Sequence, residues 1–163
     1  MKPFDALLKR FVVAVEANDG DGFAALFTAD GAYDDYFFGE HRGRASIAAM
    51  LARFHEGGER YRWEFFEPLS DGRTGYARYR FSYVSKVPDS QGKTIGFEGI
   101  SRFVLEDGLI AHYAEVFDRG AAFVQLGFPA GKVARLLEKY TESQRLAPGW
   151  REHLADREKE KGV

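Results

Sequence analysis

An α+β fold is expected for this chain: a strongly curved antiparallel or mixed sheet wrapped around N-terminal helices, followed by a C-terminal helical extension. Three observations predict it. Apolar residues recur at helical spacing as far as residue 54, switch to a period of two between residues 61 and 117, and return to helical spacing after Pro129. Helices segregated in sequence from a run of hairpin-linked strands belong to the α+β class.

Phe4, Leu7, Leu8, Phe11, Val12 and Val15 fall on one face of a first helix, which Asn18-Asp19-Gly20 ends. Asp21 is placed to cap a short second helix carrying Phe23, Leu26 and Phe27 and closing near Asp30-Gly31. An aromatic strand is expected over 32–38, then a loop from Gly39 to Gly43. Ile47, Met50, Leu51 and Phe54 mark a third helix, and Gly57-Gly58 stops it. The period-two stretches are Tyr61/Trp63/Phe65, Tyr79/Phe81/Tyr83, Phe97/Gly99/Ser101/Phe103 and Ala111/Tyr113/Glu115/Phe117. Glu106-Asp107-Gly108 is a hairpin signal between the last two. Gly99 beside Phe97 implies a bend or room for a ligand. Val133, Leu136, Leu137 and Tyr140 make a helical stripe, Pro148-Gly149 breaks the chain, and the alternating charges of 156–161 read as a frayed end. The expected division is 1–128 for the α+β domain and 129–163 for the extension.

Composition narrows the function classes. With 163 residues the chain suits one domain. Aromatics make up 15%, including 15 Phe and 8 Tyr, and this bulk must fill a core, a ligand cavity or an interface. The net charge of −2 carries no footprint for nucleic acid. The chain has no cysteine, which removes disulfides, thiolate metal sites and cysteine nucleophiles. No apolar run reaches the ~18 residues of a membrane span, and Met1-Lys2-Pro3-Phe4-Asp5 has no apolar signal segment. A cytoplasmic protein without membrane contact is expected. His41, His55, His112 and His153 have no metal-ligand spacing, and no metal or cofactor is expected.

Four stretches carry a resemblance. They are 11–22 running on to Leu26-Phe27; Asp30-Gly31-Ala32-Tyr33-Asp34-Asp35 with Gly39 and 43–47; Arg102 to Ile110; and Glu115-Val116-Phe117-Asp118 leading to Gln125-Leu126-Gly127. Together they resemble the SnoaL-like branch of the nuclear transport factor 2-like superfamily, which includes ketosteroid isomerases and polyketide cyclases. The resemblance implies a cone-shaped domain with a deep pocket for a small apolar molecule of polyketide, steroid or terpenoid type. It also implies a homodimer through the outer sheet face. Fold alone does not settle function, because this superfamily hosts unrelated activities.

The resemblance places Asp35 where ketosteroid isomerases carry their general base, and Glu115 where SnoaL-like cyclases carry an acid/base aspartate. Alternation independently puts Glu115 on the face of Tyr113 and Phe117, where loss of water raises a carboxyl pKa toward neutrality. A bland reading stands beside this one, in which Arg44, Arg78 or Arg80 pairs with these acids. The isomerase oxyanion donors map onto Phe11 and Ser101, a non-donor and a weaker donor than a carboxylic acid. Tyr33, Tyr79, Tyr83 or Tyr113 is the available replacement. His41, in the loop after Asp35, completes the candidate catalytic set as the one His–Asp pair of dehydratase type. The expected pocket lining is Phe11, Val15, Tyr33, Phe37, Met50, Phe54, Trp63, Phe65, Tyr79, Phe81, Tyr83, Phe97, Ser101, Phe103, Tyr113 and Phe117. Two functions follow as expectations: a cofactor-free isomerase, cyclase or dehydratase, or a non-catalytic binding or dimeric interaction domain.

Overall fold

The computed structural model describes residues 3–160. Helix α1 (Pro3–Glu16) buries Phe4, Leu7, Leu8, Phe11, Ala14 and Val15, the stripe that its spacing predicts. Asn18 ends it in the left-handed conformation at φ 54°. Helix α2 (Gly20–Ala24) is capped by Asp19, whose carboxylate accepts the Gly22 N–H at 2.8 Å. It is shorter than its spacing predicts, because Leu26 and Phe27 leave the helix to enter strand β1 (Phe27–Asp35).

β2 (Gly39–Arg42) replaces the expected loop and folds back on β1 as a hairpin, pairing His41 with Tyr33. Its glycines made it read as a turn, but Gly39 and Gly43, at φ 91° and 81°, only bracket the strand. Helix α3 (Arg44–Glu56) follows, held back to β1 by Arg44, whose Nε and Nη2 both donate to the Phe27 carbonyl.

β3 (Gly58–Ser70), β4 (Thr74–Ser85), β5 (Thr94–Glu106) and β6 (Leu109–Phe117) form an antiparallel meander. β1 then adds in parallel to β6, giving one mixed six-stranded sheet in the order β2-β1-β6-β5-β4-β3. The sheet is open and does not close into a barrel. Two register breaks in β3 coincide with Arg60 and Glu67 at positive φ, and such bulges bend and twist a strand. The bend lets the concave face wrap α1.

Phe11 sits at the centre of that face with none of its surface exposed. Its ring meets Phe23, Trp63, Phe65 and Tyr113 at centroid distances of 4.8, 5.3, 5.4 and 5.3 Å. The end of α1 is tied to β3, the Trp63 backbone N–H donating to Glu16 Oε1 at 2.8 Å. His55 Nε2 donates to the Val15 carbonyl at 2.8 Å and fastens α3 to the same point.

Gly99 makes no room for a ligand. A side chain there would meet the Tyr79 ring at 2.6 Å and the Val116 carbonyl at 2.5 Å, so the glycine lets Tyr79 lie flat across β5. The outer face carries an ion-pair row instead of partners for the buried acids. Arg80 bonds Glu98 at 2.8 Å, Arg78 reaches Glu67 and Glu98 at 3.4 Å, and both arginines cover Phe66 at 4.8 Å.

After β6 the chain turns into helix α4 (Arg119–Gln125), which the sequence pattern does not signal, and then into α5 (Ala130–Leu146) and α6 (Pro148–Glu160). Residues 156–160 are helical where a frayed end is expected; Lys161 lies outside the described residues. No helix is long and apolar enough to cross a membrane among the described residues.

Replacing Phe11 by Ala removes the ring at the junction of α1, α2 and the sheet. Its expected cost is about 3–5 kcal/mol in urea unfolding. Val13→Ala, on the 68% exposed face of the same helix, should fall within ~0.5 kcal/mol of the parent. Equal costs at the two positions would refute this account of the core.

Candidate functional site

Two spaces lie inside the cone. The inner one is a chamber of 20 Å³ lined by Val15, Phe23, Tyr33, Asp35, Met50, Leu51, Phe54 and Trp63. That is room for about one water molecule. The outer one is a cavity of 400 Å³ at the wide mouth, within the range of about 300–1,000 Å³ usual for small-molecule sites. Phe54 lines both and forms part of the wall between them. A larger groove of 540 Å³ outside α1 is more open and lies away from the acids.

The carboxylates meet through strand register. Ser101 of β5 sits opposite Glu115 of β6, and Tyr33 of β1 opposite Tyr113. The Tyr113 hydroxyl lies 2.9 Å from Ser101 Oγ and donates to Glu115 Oε2 at 3.0 Å. The Tyr33 ring stacks on Tyr113 at 4.5 Å. Burial raises the Glu115 carboxyl to about 7, and the charge of Asp35 pushes the same way. The Tyr79 and Tyr113 hydroxyls oppose the rise by favouring the carboxylate. Tyr79 nonetheless falls outside hydrogen-bond geometry here, and its buried hydroxyl has no partner. The same holds for the indole N–H of Trp63, whose ring lies 4.9 Å from that of Tyr79. Burial and the nearby Glu115 charge lift the Tyr33, Tyr79 and Tyr113 hydroxyls above their ordinary value, so all three stay protonated donors.

Asp35 is bound differently. Its Oδ1 accepts the Phe37 and Phe38 N–H groups, each at 2.8 Å, and so shapes the β1–β2 turn. Burial raises its carboxyl, and those two bonds oppose the rise. His41 lies on β2, pairs with Tyr33 and lowers the Asp35 carboxyl by its charge. Glu115 and Asp35 therefore share one interior, with Glu115 the more strongly shifted.

The expected lining residues divide into three sets. Phe37, Phe54, Phe81, Tyr83 and Phe97 line the mouth cavity. Val15, Tyr33, Met50 and Trp63 line the inner chamber with Phe54. Phe11, Tyr79, Ser101, Phe103 and Tyr113 are fully buried in packed contacts and line neither space. Phe65 edges the outer groove, and Phe117 stacks on Phe97 at 4.2 Å, behind the cavity wall.

The far wall of the mouth cavity comes from the extension. Phe123 and Leu126 of the α4 region, Phe128, and Lys132, Leu136 and Tyr140 of α5 complete the lining. The last three follow one another at i, i+4 and i+8; Leu136 and Tyr140 belong to the stripe that the spacing predicts, whereas Val133 and Leu137 of that stripe do not line the cavity. A latch holds this wall. The Arg119 guanidinium lies 3.9 Å from the ring centre of Tyr36 and 3.6 Å from that of Tyr140, and donates to the Tyr36 carbonyl at 2.9 Å. The Tyr140 hydroxyl donates to the Phe37 carbonyl at 2.9 Å. Gln125 clamps α4 to β5, accepting the Gly96 N–H and donating to the Gly96 carbonyl, both at 2.9 Å.

A curved mixed sheet wrapped around a helix is a fold of the ketosteroid isomerase type. The chain belongs to the SnoaL-like domain family, whose model matches residues 8–113. No curated protein matches it. Among solved structures it is similar to a ketosteroid isomerase-like protein of Catenulispora acidiphila in complex with trimethylamine (18% identity, TM-score 0.68, covering 77% of this chain and 95% of that one). It is also similar to a proposed polyketide cyclase of Xanthomonas campestris (23%, 0.64, 76% and 96%). An epoxide hydrolase of M. tuberculosis, like limonene epoxide hydrolases, matches at 20% and 0.62, over 82% and 94%. At these identities the likeness shows a shared fold.

The latch generates a prediction. Arg119→Met keeps the stem and removes the cation, at a cost of about 1 kcal/mol for the lost stacking and hydrogen bond. Amide exchange should accelerate over 130–146 and stay unchanged in the sheet. Unchanged protection of α5 would show that Arg119 does not hold it.

Proposed function

We propose that this protein binds a small, largely apolar carbonyl compound at the mouth cavity and moves protons on it with Glu115 and Asp35, without a cofactor. The observation that carries the reading is the raised Glu115 carboxyl, bonded by Tyr113 and close to the Tyr79 hydroxyl, which, like the indole N–H of the Trp63 ring packed against Tyr79, is buried without a hydrogen-bond partner. A carboxyl titrating near neutrality is both a usable base and a usable acid. As a carboxylate, Glu115 takes a proton from the carbon next to the carbonyl. The C–H electron pair becomes the C=C bond of an enolate, the carbonyl π pair moves to oxygen, and the Tyr79 hydroxyl and Trp63 indole N–H donate to the oxyanion that forms. Protonated Glu115 then returns the proton at another position, and Asp35 supplies the second carboxylate. Returned to a more distant carbon, the proton completes an isomerisation. Delivered to a β-hydroxyl whose C–O bond breaks as the enolate collapses, it completes a dehydration with release of water. Delivered to the alkoxide formed when the enolate carbon attacks a second carbonyl of the same molecule, it completes a cyclisation. Rotation of Phe54 would join cavity and chamber.

A second reading, a non-catalytic binding domain, is favoured by the wall at Phe54, which leaves Asp35 in the 20 Å³ chamber behind it, and by Glu115, which lines neither space. The two readings separate on Glu115→Gln, assayed on ligands found by thermal shift. Loss of turnover with binding retained supports proton transfer by Glu115. Recovery of unaltered ligand from the parent protein supports the binding domain.

The raised pKa also acts on stability. The folded protein holds the Glu115 proton up to about pH 7, whereas the unfolded chain releases it near the ordinary value of 4.5. The contribution to stability is therefore full below the lower value and is lost as pH rises through the upper one, by on the order of 3 kcal/mol. Glu115→Gln should flatten the stability profile across that window, and a profile with the parent's slope would remove Glu115 as its source.

A homodimer through the outer sheet face belongs to the same reading. The paired Ile100 and Val116 are 47% and 54% exposed there. Val116→Glu should convert a dimer to a monomer in sedimentation, and a parent that sediments as a monomer would remove the proposal.

A further inference from the structure

The mouth cavity is walled almost wholly by rings and aliphatic groups, and its charged lining is of one sign. Arg53, in the last turn of α3, and Lys132, in the first turn of α5, both line it, and no acid does. Neither cation makes an ion pair among the described residues, whose ion pairs lie instead on the outer sheet face and at Glu40–Arg42. Both are exposed, as groups at a rim are. Lys132 is also positioned, its Nζ lying 3.6 Å from the centre of the Phe128 ring, another lining residue. The two cations come from opposite walls, Arg53 from the domain that the family model matches and Lys132 from the extension outside it.

We infer that the occupant is an amphipathic acid: a flat apolar body within the ring-lined cavity and a carboxylate at the rim, met by Arg53 and Lys132. The inference rests on the mouth cavity being the binding site. A neutral ligand would gain nothing from two cations at an apolar rim, whereas a carboxylate accepts charge-assisted bonds from each. The extension thereby contributes to ligand choice as well as enclosure. Without Lys132, one of the two groups that distinguish an acid from its ester is lost, although the family domain still supplies Arg53.

The test uses pyrene-1-butyrate and its methyl ester, titrated by fluorescence against the parent chain, Arg53→Gln, Lys132→Gln and the double variant. The acid should bind at least about tenfold more tightly than the ester, the size of one charge-assisted contact. Each single variant should reduce that preference and the double variant should abolish it, with ester affinity unchanged. Added salt should weaken the acid and spare the ester. Equal binding of acid and ester, or a preference that survives the double variant, overturns the inference and leaves the cavity standing as a binding site. Binding of neither probe overturns both the inference and the cavity reading beneath it.

Discussion

The packing of Phe11 into the concave sheet is the constraint on which the rest depends. One ring from α1 meets rings from α2, β3 and β6. It fills the centre of the concave face and is itself wholly buried. With that space closed, the interior keeps only a water-sized chamber, and free volume collects at the mouth. The position of the mouth cavity thus follows from how deeply the first helix is seated.

The mouth would be a shallow dish without residues beyond the family domain. α4 and α5 give it a second wall, and Arg119 fastens that wall between two tyrosine rings. A cation stacked on both faces tolerates small shifts in either partner, because the attraction to each ring face does not depend on a single bond direction. The Tyr140 hydroxyl adds the directional contact. The enclosure is therefore firm in position and adjustable in detail.

Periodicity made much of this legible. Alternation placed Glu115 with Tyr113 and Phe117 on the inner face, and the stripe of α1 named its own buried residues. The pattern was mute where contacts are made across long separations. Arg119 meets Tyr36 across 83 positions and Tyr140 meets Phe37 across 103, and no local spacing encodes such pairs. β2 was hidden because its four residues begin at Gly39 and are followed by Gly43, and short strands draw their stability from the partner. Trp63 read as an apolar ring, since nothing in alternation shows that its N–H lacks a partner. The apolar spacing of α5 did mark Leu136 and Tyr140, but Lys132, one turn earlier on the same face, is a cation that a hydrophobic stripe does not count.

The Gln125 amide has a consequence for self-association. β6 ends before it covers the start of β5, which leaves the N–H and carbonyl of Gly96 facing sideways without a strand. The side-chain amide fills both, imitating the peptide group that a further strand would present. Open backbone of that kind is a template on which another chain can add, the first step toward ordered aggregates. One glutamine thus keeps the sheet finite at a place where the chain has already turned away from it.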